Sequence, residues 1–397
     1  MVRPTISLAL IFANLGHLYV HMFTAFYFII ILSIESAWEL PYHQLIKLWA
    51  PGALMVGLAA LPAGWLADRW SAPGTLALFF IGLGISTLFA GFASTPLELL
   101  ISLTGVGLFA SIYHPVAIPW LIRNTDRNPG KALGFNGIFG SLGVALSALV
   151  AGLLVEAFGW RSAFLLPGLI ALATGLFFLW ALLTRRIGDR LPRENQAESK
   201  GRSHLSIFLL LLLVMFIGGL IYQSTQTVLP KVFELRASNI LGSGYTEIGL
   251  LVTAVYTASA AMQLVVGHLA DRFPLKRLYL LMLLAQIPLL WFAADLSGGM
   301  LIAITALMVI ANTGALPAEN LLLAQYTPAH HHGLAFGAKF TLVFGAGPIA
   351  VTLIAYFHQQ SGEFHQLFTL LALLAGLGAL TIALLPRKEK VRSTLAS

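Results

Sequence analysis

The chain contains no cysteine, which excludes disulfides and thiolate metal ligands and leaves its redox compartment open. Charge is scarce as well. Asp, Glu, Lys and Arg together make up 10% of the 397 residues, where a soluble domain carries about 25%. A soluble fold of this length needs a polar skin, and 58% hydrophobic residues with a mean hydropathy of +0.85 leave too little to build one. Lipid is therefore the solvent. Backbone groups in hydrocarbon must be satisfied internally, which leaves helix bundles or closed barrels. The apolar runs here are roughly 20 residues or longer, unlike the alternating segments of about 10 that make barrel strands. Also missing are a phosphate-cradling loop, a nucleophile elbow and a zinc-protease helix. Without them the chain is read as neither an enzyme nor a primary pump. No cofactor is expected, and an ion gradient is the expected driving force.

What is present is a series of twelve apolar spans, near residues 6–34, 46–68, 74–93, 97–121, 131–157 and 162–184, then 205–232, 246–269, 276–295, 299–325, 333–357 and 364–386. The first is too long for a signal-peptide core and is read as a retained helix. Between the sixth and seventh lies the one long polar stretch, from Arg185 to His204. The expected fold is an all-α membrane protein, with twelve transmembrane helices in two pseudo-symmetric six-helix bundles. Residues 1–184 form the first bundle, 185–204 a cytoplasmic linker, and 205–397 the second bundle with a short cytoplasmic tail.

The net charge of +7 could suggest nucleic acid, but the basic residues sit at the ends of apolar runs. Of the 23 Lys and Arg, eighteen fall on the termini and even-numbered connections. Four, Lys47, Arg161, Lys231 and Arg236, fall on the opposite face, and Lys339 lies inside a span. Lys and Arg mark the cytoplasmic side. Both termini and the linker are therefore expected in the cytoplasm, and no nucleic-acid partner is needed to explain the charge.

The two halves repeat. Gly64 to Arg69 reads GWLADR and closes the second span; Gly267 to Arg272 reads GHLADR and closes the eighth, 203 residues later. The same offset pairs Gly16 with Gly219, Tyr42 with Tyr245, Gly134 with Gly337 and Gly159 with Gly362. Six spans per half is an even number, so the halves share orientation, as in transporters whose parallel halves rock about a midplane site. Asp68 and Asp271 each face the negative end of their own helix dipole and need compensation, from Arg69 and Arg272 or from a neighbouring helix N-terminus. Gly64 and Gly267 would let that neighbour approach. Such a contact can form in one rocking state and break in the other, which makes these six residues gating candidates. A plain helix stop is the simpler alternative.

The repeated GxLADR, twelve spans and basic central loop resemble the major facilitator superfamily over essentially the whole chain. The family motif normally continues with glycine and basic residues. Ser71, Ala72 and Pro73 break that pattern in the first copy, whereas Lys276 and Arg277 keep it in the second. GVGLFASIYHP, ending at Pro115, is similar to the His-Pro segment of the fosmidomycin-resistance-like branch. The resemblance implies a bacterial inner (plasma) membrane, a small-molecule substrate, and a cavity lined by the first, fourth, seventh and tenth helices. A monomer suffices for this architecture.

Ionisable residues deep in a span are expensive and usually face protein or water. The deep polar residues fall on those same four helices: His17 and His21 on the first, His114 on the fourth, Tyr222, Gln223 and Gln226 on the seventh, and Asn312, Glu319 and Asn320 on the tenth. His17 and His21, four apart, share a helical face. They can exchange protons, orient helices, or bind a metal with His114, and the residues alone leave all three open. Glu319 is the carboxylate well inside a span, a proton carrier or substrate contact, or else half of a structural pair with a histidine. Lys339, about two turns into the eleventh span, is either a counter-charge for an anionic substrate or a snorkelling side chain. Glu156, Asp295 and Glu363 fall at outer ends and are expected to be solvated.

The combined expectation is proton-coupled export of a small organic molecule by alternating access. Glu319, His17, His21 and His114 would handle protons, and Tyr222, Gln223, Gln226, Asn312 and Lys339 would hold substrate. Uptake of a small, possibly anionic, metabolite and transport of a metal or metal chelate are the alternatives. A non-transporting receptor is the rival from another class.

Overall fold

The computed structural model describes residues 8–125, 129–188, 205–242, 244–327 and 332–385. Within them the chain is almost entirely helical. Twelve long helical segments follow the twelve expected spans. They are α1 (Leu8–Trp38), α2 (Tyr42–Leu58 and Ala60–Arg69), α3 (Ala72–Phe92), α4 (Pro96–Arg123), α5 (Pro129–Phe158) and α6 (Ser162–Leu183). The second half holds α7 (Leu205–Arg236), α8 (Tyr245–Arg272), α9 (Leu275–Ala293), α10 (Gly298–Tyr326), α11 (His332–Ser361) and α12 (His365–Leu384). Ten of these are long and apolar enough to cross a membrane by themselves. The two parts of α2, bent by 42°, make an eleventh. The expected eighth span is the continuous 28-residue helix α8. Most of the expected linker, residues 189–204, lies outside the described residues.

Proline decides where three helices break. Pro62 cannot donate to the carbonyl of Leu58, and α2 bends there. Pro115 leaves the Ser111 carbonyl without its donor, and α4 divides into Pro96–Ala110 and Tyr113–Arg123. Pro317 does the same to Thr313, dividing α10 into Gly298–Gly314 and Leu316–Tyr326. The residues before the second segments, Ile112 and Ala315, are related by the same 203-residue offset as the sequence repeat. Discontinuous helices at matching places in two halves commonly frame a transport site.

In lipid, helices associate by close packing more than by hydrophobic burial, so small residues mark the crossings. A Cβ at Gly84 of α3 would sit 2.6 Å from the Leu172 backbone nitrogen and 2.9 Å from the Gly168 carbonyl of α6. Only glycine fits there.

The halves press together on one side. Glu35 of α1 pairs with Lys231 of α7 at 2.6 Å, and Lys231 also reaches Glu234 at 2.5 Å. Tyr42 of α2 packs its ring 5.1 Å from that of His358 of α11. Thr253 of α8 donates to the Ala145 carbonyl of α5 at 2.6 Å, and Glu156 of α5 accepts from the Thr246 backbone of α8 at 3.1 Å. These contacts lie far from the GxLADR ends. Toward the GxLADR side, a Cβ at Gly134, Gly137 or Gly337 would meet nothing within 4 Å among the described residues. Among the described residues, the Glu35–Lys231 and Glu156–Thr246 contacts between the halves gather at the end away from the GxLADR segments.

The outer-end carboxylates are not merely solvated, as expected from sequence. Glu363 pairs with Arg236 at 2.5 Å, Asp295 with His365 at 2.6 Å, and Glu156 is engaged as above. The span boundaries hid part of this, since α7 runs to Arg236, beyond its apolar run, and so reaches Glu363.

Candidate functional site

A chamber of about 310 Å³ lies between the halves. The first half supplies His17 and His21 from α1, His114 from α4, and Gly137, Gly140 and Ser141 from α5. The second supplies Tyr222 and Gln223 from α7, Ser259 from α8, Tyr279 and Gln286 from α9, Asn312 and Glu319 from α10, and Lys339 from α11. Thus His17, His21, His114, Tyr222, Gln223, Asn312, Glu319 and Lys339 are brought together. Gln226 is not. It borders a separate void of about 10 Å³ beside Phe28, Val252 and Pro230, so direct substrate contact by Gln226 in this state is corrected to a position beyond the chamber. It lies three residues beyond Gln223 on α7, about 4.5 Å further along the helix axis, which displaces it from the chamber by depth rather than by face.

On the first half the wall is neutral. The three imidazoles cluster with ring centroids 5.1 Å apart for His17 and His21, 5.3 Å for His17 and His114, and 5.4 Å for His21 and His114. The ring of His17 stacks on Tyr113 at 5.0 Å, and its Nδ1 lies 2.8 Å from the Asn136 carbonyl, which can accept only from an N–H. Asn136 is buried and organises the region. Its two amide hydrogens are shared among the Ala13 carbonyl, Asn14 Oδ1 (both 3.1 Å) and Tyr113 Oη at 2.9 Å, and Tyr113 Oη donates in turn to the Ala13 carbonyl at 2.7 Å. Among the described residues, neither buried ring nitrogen of His114 has a hydrogen-bond partner. It stacks instead on Phe340 and Phe344 of α11, at 5.9 and 5.4 Å.

On the second half the wall carries charge. Glu319 and Lys339, 4% and 3% exposed, pair at 2.6 Å. The other Glu319 oxygen accepts from Tyr279 Oη at 2.8 Å. Lys339 also donates to Asn320 Oδ1 at 2.5 Å. Glu319 sits in the first turn of the second α10 segment, where the helix dipole favours a carboxylate. Asn312 donates to Gln286 and to the Gly218 carbonyl, both at 3.3 Å. In this structure the Lys339 ammonium is buried on Glu319 and does not snorkel, and the structural partner of Glu319 is this lysine, not a histidine.

The gating candidates divide. Asp68 and Arg69 are exposed, with the Arg69 guanidinium 4.9 Å from the Trp65 ring centroid. Gly64 meets α4 at an ordinary distance, a Cβ there lying 3.5 Å from Pro115. Arg272 is exposed. Gly267 and Asp271 lie outside the described side chains, as do His330 and His331 outside the described residues.

The family model described as Major Facilitator Superfamily matches residues 13–241 and 233–397. The chain belongs to the major facilitator superfamily and is an integral membrane protein. Among relatives, a probable sugar efflux transporter of Mannheimia succiniciproducens is 27% identical over 168 residues, covering 42% of this chain and 41% of that one. The methyl viologen resistance protein SmvA of Salmonella typhimurium is 30% identical over 183 residues, 45% of this chain and 34% of that one. The aligned regions span less than half the length of these relatives. Among solved structures, a D-xylose–proton symporter superposes with a TM-score of 0.73 at 16% identity, over 94% of this chain and 96% of that one. An inward-facing, occupied bacterial homologue of the human lysosomal transporter Spinster gives 0.74 at 16% identity, over 94% and 95%. At such identity these two speak for the fold alone.

Proposed function

We propose that the chain is a proton-coupled exporter of a small organic molecule, working by alternating access, with Glu319 as its proton site. The observation that carries this is the Glu319 carboxylate at the chamber wall, buried and held by Lys339 and Tyr279. Buried charge is costly unless paired, and its cost changes abruptly when one partner gains or loses a proton. In the paired state the second-half wall is electrically balanced. A proton on Glu319 turns it cationic. Asn320 already holds the Lys339 ammonium, so a substrate donor can take the place of Lys339 on the carboxylate and compete with the proton there. His17, His21 and His114 offer further protonatable groups across the chamber. Tyr222, Gln223 and Asn312 supply neutral contacts.

The rocking units in this reading are residues 1–184 and 205–397 joined through 185–204. Both termini lie in the cytoplasm of a bacterial cell, at its inner membrane. The structure then corresponds to an inward-open state, with Glu35 and Lys231 closing the outer end and the GxLADR loops closing the inner end in the opposite state. A monomer carries every part.

A second reading is favoured by Lys339. If protonating Glu319 frees a cation for a small anion, proton and substrate bind together, and the protein works as an importer. The relatives' names include sugar efflux, methyl viologen resistance, puromycin resistance and gallate transport, so they choose neither. The two readings differ in the sign of a coupling that thermodynamic reciprocity makes measurable. Ligands are found by thermal shift against metabolites and antibiotics, then titrated at acidic and alkaline pH. Weaker binding at acidic pH supports exchange, and stronger binding supports co-transport. Glu319→Gln should abolish the response of flux to a pH gradient in proteoliposomes while leaving downhill exchange measurable. Unchanged proton-driven flux in that variant would remove Glu319 from the mechanism.

A further inference from the structure

The histidine cluster carries more than a proton relay. We propose that His17, His21 and His114 form a three-imidazole site for a late first-row divalent cation such as Zn²⁺ or Co²⁺, with a fourth coordination position open to the chamber. Their ligating nitrogens all lie within 4.8 Å of one another. Nitrogens bound tetrahedrally at about 2.0–2.1 Å from a metal sit roughly 3.4 Å apart, so modest side-chain rotations close the set. Imidazole is a preferred ligand for these metals, and three protein ligands with one open position is the arrangement of sites that also bind an exogenous group.

Three features of the surroundings fit a ligand role. The Nδ1 of His17 is turned to the Asn136 carbonyl at 2.8 Å, which fixes the proton on that nitrogen and leaves Nε2 with a free lone pair. Beside Nε2 stands Gly140, where a Cβ would lie only 2.6 Å from that nitrogen. The ligating edge of His17 is thus kept clear by the absence of a side chain. Finally, both nitrogens of His114 are buried without a hydrogen-bond partner among the described residues, an expensive state for a polar group and one that coordination would relieve. The nearly parallel rings of Phe340 and Phe344 hold that imidazole in place and provide an apolar shell.

All three ligands belong to the first half, so the cation does not tie the halves together. It would instead give the neutral wall a positive charge and a coordination position facing the Glu319 side. Substrates carrying a carboxylate, a hydroxamate or another lone-pair donor could fill that position. The inference uses the same chamber as the proposed proton coupling but different residues.

The test uses the untagged full-length protein in detergent, stripped with chelator. Zn²⁺ alone is titrated calorimetrically, and Co²⁺ alone is followed by its visible absorption. One saturable site per chain is expected, with the intense Co²⁺ bands of low coordination number. His17→Gln, His21→Gln and His114→Gln should each weaken binding at least tenfold. Gly140→Ala removes no ligand and should weaken it by crowding Nε2, which keeps the test decisive if a histidine variant fails to fold. Replacing His330, His331 and His332 with alanine should leave the chamber site intact. Absence of saturable binding, or binding insensitive to all three histidines and to Gly140→Ala, overturns the inference. Glu319→Gln should retain the metal, so loss of proton coupling and loss of metal binding fail separately.

Discussion

The two halves share a scaffold and differ in the chemistry they put on it. The 203-residue offset that pairs Gly64 with Gly267 also pairs Asn136 of α5 with Lys339 of α11. Both side chains are buried and both organise their half of the chamber wall. Asn136 does so neutrally, joining α1, α4 and α5 through Ala13, Asn14 and Tyr113. Lys339 does so with charge, joining α10 and α11 through Glu319 and Asn320. The amide, hydroxyl and carbonyl groups that Asn136 joins carry no ionisable charge, whereas the pair that Lys339 makes does. The repeat therefore supplies symmetric geometry, and one substituted position makes one half a frame and the other a switch. The networks meet at Phe340, which stacks on His114 and lies 5.8 Å from the Lys339 ammonium.

The contrast predicts a large difference in mutational cost. Lys339→Ala would leave the Glu319 carboxylate buried without its counter-charge and should destabilise the protein by about 3–5 kcal/mol. Glu319→Gln combined with Lys339→Met should recover most of that, because removing both charges is often near neutral. Thermal unfolding in detergent measures both. If Lys339→Ala proved as stable as the double variant, the pair would not be the charged switch described. Asn136→Ala should cost less, about 1–3 kcal/mol, since the groups it abandons are uncharged. It should also leave the pH dependence of stability unchanged. A pH-dependent loss in Asn136→Ala would show that the frame and the switch are one network.

Much of this was legible in the sequence because burial in lipid makes charge conspicuous. Glu319, Lys339 and the three histidines stand out against apolar spans, and their helices follow from counting. Which way each side chain faces was not legible where the residue is polar but uncharged. Asn136, Tyr279 and Gln286 belong to no motif, and a helix that is apolar all round gives no phase to orient them. Asn136 could have been found through its repeat partner, since the offset from Lys339 leads straight to it. Tyr279 could not, because its counterpart is Leu76. Polarity also marked Gln226, but it lies nearly a turn further along α7 than Gln223 and borders the separate void, a difference of depth that polarity does not report. Partners across the outer end, such as Glu35 and Lys231, depend on how the halves meet and on helices longer than their apolar runs.

The smallest expected effect tests whether the asymmetry between the halves depends on the end where these contacts gather. Lys231 bridges them, between Glu35 and Glu234, with side-chain exposures of 9% for the lysine and 26% for each glutamate. Such a partly solvated pair is worth about 1 kcal/mol or less to stability. Lys231→Met should therefore barely move the unfolding temperature. The same energy acts differently on an equilibrium between two folded states, where about 1 kcal/mol changes the population ratio roughly fivefold. Because the chain has no cysteine, a spin-label pair placed at the exposed Gln44 and Gln359 reports on this end without background. Lys231→Met should enrich the longer distances, and proton addition should change that distribution less in a Glu319→Gln background. A distance distribution that ignores Lys231→Met would mean that close packing around Tyr42 and His358 holds the end shut. The charged half would then rock without an electrostatic latch.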